Sequence, residues 1–123
     1  MSPDSSPDLR AVAARDLKAM IEKSGELAIL DLREEGTFGD GHLLFAVPAP
    51  LSRLEMRIDD LVPRKDTTLV LVAGGPGDRL IRRGAEKLAR FGYRNLAYLD
   101  GGVAGWAAAG LEVFTGVNVP SKA

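Results

Sequence analysis

The run Thr67 to Ala73, Thr-Thr-Leu-Val-Leu-Val-Ala, constrains this chain more than any other segment. An unbroken series of apolar and β-branched residues, without polar alternation, suits a strand that is covered on both faces. That condition is met in a parallel sheet sandwiched between helices. Leu27 to Leu32 and Leu43 to Val47 are further short apolar runs bounded by turn residues, and Leu96 to Leu99 is a fourth. Helical periodicity fills the gaps. Leu51, Leu54, Ile58 and Leu61 recur on one face behind a Ser52/Glu55 capping box, stopped near Pro63. Leu80, Ile81, Ala85, Leu88 and Phe91 do the same after the central strand, and a small helix carrying Trp106 follows Gly101-Gly102. Leu9 to Ile21 reads as one helix ended by Gly25, or as a short strand over Leu9 to Val12 followed by a helix from about Ala14. The expected fold is α/β, an open parallel sheet of about five strands flanked by helices on both faces.

Composition narrows the chemistry. The 123 residues suit one domain, and they include no cysteine and one histidine, His42. No disulfide, zinc finger, iron–sulfur cluster or thiolate nucleophile is open to this sequence, and no His-pair metal site. No metal and no cofactor are expected. Sixteen basic against seventeen acidic residues leave a net charge of −1, which argues against nucleic acid or an acidic membrane as partner. The longest apolar runs fall far short of the ~20 residues that span a bilayer, and the first residues carry no basic and apolar leader. A cytoplasmic location follows as the expectation. Residues 1–8, rich in Ser, Pro and Asp, read as a disordered lead-in.

In open parallel sheets, ligands bind beyond the carboxyl ends of the strands. Gly74, Gly75, Pro76, Gly77, Asp78 and Arg79 occupy that place after the central strand. Their backbone N–H groups, the start of the next helix and the Arg79 charge form a candidate cradle for a small anion. The plainer alternative is a glycine-rich turn that only connects strand to helix. No Gly-Lys-Ser/Thr follows, so the loop is not a P-loop. On the helix behind it, Arg79, Arg83 and Lys87 stack at i, i+4, i+8 with no acid among them. They read either as an electropositive wall beside the loop or as a solvated helix face. Arg82, Glu86 and Arg90 alternate beside them.

Four segments in order give the chain a family likeness. Asp31 and Arg33 close an Ile-Leu-Asp-Leu-Arg-Glu strand end. Gly41-His42-Leu43 follows, with Ala46 and Pro50 behind it. The loop 74–79 comes next, and Gly101-Gly102-Val103-Ala104-Gly105-Trp106 with Gly110 closes the series. From about Leu9 to Val113 the chain resembles the rhodanese-like (sulfurtransferase) domain family. The resemblance implies a domain over residues 9–114, with 115–123 leading toward further domains of a longer protein.

The family's active-site loop reads Cys-x-x-Gly-x-Arg, and its thiolate carries the transferred sulfur as a persulfide. Here Gly77 and Arg79 match, but Gly74 stands at the cysteine position. Pro76 removes an N–H donor, Asp78 brings a carboxylate into a site meant for anions, and Leu80 replaces a frequent hydroxyl residue. Related phosphatases on this fold use the same thiolate and fall by the same argument. No Ser or Thr lies between Thr68 and Leu99 to substitute as nucleophile. Asp31, Arg33, His42, Gly101, Gly102 and Trp106 are expected to be structural: a local ion pair, an imidazole bonded to nearby backbone, a turn and a core anchor. The resemblance thus implies a catalytically inactive copy acting as a binding, regulatory or spacer module. Its expected partner is a small anion or a neighbouring rhodanese-like domain that keeps its cysteine.

Overall fold

The computed structural model of the chain describes residues 9–23, 27–43, 45–75 and 78–115. Residues 1–8, the Gly25 helix end, Pro76, Gly77 and the segment from 116 onward lie outside them. Strands β1 (Leu9–Val12), β2 (Leu27–Asp31), β3 (Ala46–Pro48), β4 (Thr68–Val72) and β5 (Leu96–Leu99) form one sheet in the order β1-β5-β4-β2-β3. Every neighbouring pair in it is parallel. Four helices connect the described strands, α1 (Ala14–Glu22), α2 (Glu35–Asp40), α3 (Leu54–Leu61) and α4 (Arg79–Arg90), and α5 (Gly102–Ala108) follows β5.

The unbroken apolar character of β4 has a direct cause. Its successive side chains enter two separate cores. Val70 and Val72 pack with Leu17, Phe38, Val103 and Trp106 under α1, α2 and α5. Leu69 and Leu71 pack with Leu54, Ile58, Ala85 and Leu88 under α3 and α4. All four of these β4 residues have zero exposure, which is why no polar residue interrupts the run.

Three local readings are corrected. The first segment is the strand-then-helix alternative: β1 pairs with β5 from Leu9↔Leu96 to Val12↔Leu99, and α1 begins at Ala14. The Ser52/Glu55 capping box does not form. A 3-10 turn, Leu51–Arg53, precedes α3, and the Ser52 hydroxyl donates to Glu34 Oε2 at 3.0 Å instead. The third strand sits later than its apolar run, because Leu43 turns into the core ahead of Ala46. The sequence reading also missed α2, a glycine-containing helix held by the fully buried Phe38.

Helix α4 lies close to the sheet at Gly84. A Cβ there would stand 2.5 Å from Leu32 Cδ1, itself fully buried. Gly84→Ala gains up to about 1 kcal/mol of helix propensity, but overpacking costs about 1–3 kcal/mol. We expect a net loss of about 1 kcal/mol, read from the urea unfolding midpoint; a stabilised variant would show that α4 has slack.

Candidate functional site

The chain leaves β2 toward β3 and leaves β4 toward β5, in opposite directions across the sheet. The two strands are neighbours, with Asp31 in register with Val72. Their carboxyl ends therefore frame the topological switch point, where open α/β sheets place ligands. The loops after them carry Arg33 and Gly74.

Arg33 is fixed from two sides. Its Nε and Nη2 donate to Asp31 Oδ1 and Oδ2 at 2.9 and 2.7 Å, and Nη2 also donates to Gly41 O at 2.6 Å. The Arg33 backbone N–H adds a bond to Asp31 Oδ1 at 3.1 Å. Asp31 has zero exposure and Arg33 only 9%. The carboxylate thus neutralises the guanidinium inside the fold, and the same guanidinium ties the segment that precedes His42. Next to it, the His42 ring stacks on Phe38 with 4.0 Å between centroids. His42 Nδ1 lies 2.8 Å from Leu43 O; a carbonyl only accepts, so this nitrogen carries the proton. The His42 backbone exchanges hydrogen bonds with Phe114 at 2.8 and 2.7 Å. With these contacts His42 is fully buried.

The loop after β4 rests on α5. Val103 N–H donates to Ala73 O at 2.9 Å and Ala104 N–H to Gly74 O at 3.0 Å. The first turn of α5, whose amides have no partner within the helix, is satisfied by the loop's carbonyls. Gly101 and Gly102 make that approach possible, with φ of 83° and 61°. A Cβ on Gly102 would lie 2.5 Å from Ala73 O and 2.7 Å from Gly75 N. The far end of α5 is held by Trp106, whose Nε1 donates to Glu112 O at 2.8 Å.

Asp78 caps α4. Its Oδ1 accepts from Leu80 N–H at 3.0 Å, and its Oδ2 accepts from Gly74 N–H at 3.3 Å. Position 74 itself has room: a Cβ there would meet nothing closer than Asp78 Oδ2 at 3.8 Å and Arg33 Cδ at 3.9 Å. Sequence reasoning placed a carboxylate near the loop, but only the coordinates show it bonded to the amide of Gly74.

Arg79 starts α4 with its side chain exposed. With Arg82 and Arg83 it lines an open groove of about 830 Å³ between α4 and the β1–β5 edge, floored by Leu9, Ile81 and Tyr98. Glu86 and Asp100 line it too. The basic stripe of Arg79, Arg83 and Lys87 is therefore divided. Lys87 turns to α3 and pairs with Glu55. The bond and the positive charge of Lys87 hold the Glu55 carboxyl below its ordinary range. The acid that pairs with Lys87 comes from another helix, which spacing along α4 alone does not reveal.

Comparison with known proteins agrees with this geometry. A family model described as the rhodanese-like domain matches residues 13–109. No curated protein matches the chain. Among solved structures, a thiosulfate sulfurtransferase from Pseudomonas aeruginosa is 41% identical over 87% of this chain, with a TM-score of 0.81. The match covers 20% of that protein, so the present chain spans about a fifth of its length. The Alr3790 protein from Anabaena sp. is 26% identical over 86% of this chain and 81% of its own, with a TM-score of 0.77. The solution structure of the rhodanese-like domain from the same Anabaena protein is 27% identical over 100% of this chain and 86% of its own, with a TM-score of 0.71. On the family model, the five-stranded parallel sheet and these likenesses, the chain belongs to the rhodanese-like domain family.

Proposed function

We propose that this chain is a catalytically inactive rhodanese-like domain that serves as a binding, regulatory or spacer module of a longer sulfurtransferase-type protein. The observation that carries the proposal is Gly74, which stands at the family's cysteine position in a chain without any cysteine. Sulfur transfer by this family needs a thiolate, and glycine offers no atom to hold the persulfide. No described helix is long and apolar enough to cross a membrane, and a cytoplasmic location is part of the same proposal.

The likeness to a much longer thiosulfate sulfurtransferase favours a compatible second reading. In it, the active cysteine belongs to another domain of the same protein, and the present domain is the inert neighbour. A third reading, a small-anion sensor built on residues 74–79, is disfavoured by Asp78, whose carboxylate already accepts from the Gly74 amide. An amide NMR titration with thiosulfate separates these readings. We expect no saturable shift at Gly74, Gly75 or Asp78 up to millimolar thiosulfate; saturation confined to those amides, and its loss in Arg79→Ala, would replace the module reading with the sensor.

A further inference from the structure

We infer that Asp78 is a built-in anion that holds the loop against any second negative charge, so that the loss of thiol chemistry here has two independent locks, Gly74 and Asp78. The inference rests on the reading of this loop as the family's former active site. Its basis is the geometry around position 74. Asp78 Oδ2 takes the Gly74 amide at 3.3 Å, and Oδ1 takes the Leu80 amide at 3.0 Å. Oδ2 also lies 3.8 Å from the point where a side chain at position 74 would begin. A thiolate or persulfide built there would extend into the space beside a carboxylate.

Among the described residues, no charge on the surrounding elements offsets that carboxylate at close range. From the loop after β2, Arg33 Cδ comes within 3.9 Å of the same point, but Asp31 neutralises its guanidinium through two bonds. From α5, residues Gly102 to Ala104 approach the loop without any charged side chain. Asp78 and Gly75 border the groove described above, where Asp100 and Glu86 stand against Arg79, Arg82 and Arg83. On α4 itself, Arg79 is exposed, where water screens it. The net charge nearest to position 74 in this set is that of Asp78. A like charge at this range disfavours ionisation of a thiol.

The absence of natural cysteine makes the test clean, because an introduced thiol is the sole one in the chain. Gly74→Cys and the double variant Gly74→Cys/Asp78→Ser are alkylated with iodoacetamide across pH 6 to 11. Serine retains a capping oxygen for α4, and Gly74→Cys/Asp78→Asn is the near-isosteric alternative that removes only the charge. Far-UV circular dichroism melts establish that each variant is folded. The expected midpoint for Gly74→Cys lies above the roughly 8.5 of a free cysteine. It falls by about one pH unit or more when the Asp78 charge is removed. Coincident profiles, or a Gly74→Cys midpoint already below that of free cysteine, would overturn the inference. Turnover of the unmodified chain is a separate measurement, so failure here leaves the reading of an inactive domain standing or falling by itself.

Discussion

Gly102→Ala should destabilise the domain by about 3 kcal/mol or more, the largest effect expected of a methyl group added at any described glycine. Two costs combine. Gly102 has φ of 61°, a left-handed conformation that costs an L-residue about 1–2 kcal/mol. Its new Cβ would also stand 2.5 Å from Ala73 O, 2.7 Å from Gly75 N and 2.8 Å from Gly74 C. Those are backbone atoms, so no rotamer change relieves the contact, and overpacking of this kind costs about 1–3 kcal/mol. The helix must back away from the loop and lose the Val103 and Ala104 bonds to Ala73 O and Gly74 O. Gly110→Ala is the matched control. It has φ of 82°, but nothing lies within 4 Å of the added carbon, so only the conformational cost applies. Denaturant unfolding that gave equal losses for both variants would show that α5 does not press on the loop.

Arg33→Met should cost about 3–5 kcal/mol, because it leaves the fully buried Asp31 carboxylate without its ionic partner. The loss extends beyond the pair. The same guanidinium holds Gly41 O, and the adjacent His42 backbone is bonded to Phe114, so the C-terminal segment should loosen with it. Hydrogen exchange at the His42 and Phe114 amides reads that coupling. Replacing both partners, as in Asp31→Asn/Arg33→Met, should recover part of the loss by removing the buried charge. An Arg33→Met variant as stable as the parent would mean that water reaches Asp31.

Much of the fold was legible because the chain separates its signals. β4 is covered on both faces and so reads as one apolar run; α4 follows with a wide apolar stripe; Gly101-Gly102 and Trp106 mark the last helix by turn chemistry and by size. The failures have particular causes. Leu9, Val12, Ala13 and Leu17 satisfy helical spacing whether or not the first four residues are helical, and only pairing with β5 decides for a strand. α2 contains glycine and little helix propensity, and it exists because Phe38 is anchored in the core, a tertiary effect invisible to local pattern. A capping Ser52 would accept from the Glu55 amide, but its hydroxyl donates to the distant Glu34 carboxylate and α3 starts only at Leu54. At the loop, the residue types were readable but their bonding was not. That Asp78 binds the Gly74 amide, and that Lys87 answers Glu55 on α3, depend on approaches between segments that spacing does not encode.

The central claim is that this domain keeps the rhodanese-like frame and has lost its sulfur-transfer chemistry. The most direct test incubates the 123-residue chain with thiosulfate and cyanide and measures thiocyanate against a protein-free blank and a cysteine-bearing rhodanese-like domain. The account predicts a rate indistinguishable from the blank. Thiocyanate that rises in proportion to the concentration of this chain would contradict it, since no thiol exists to carry the sulfur.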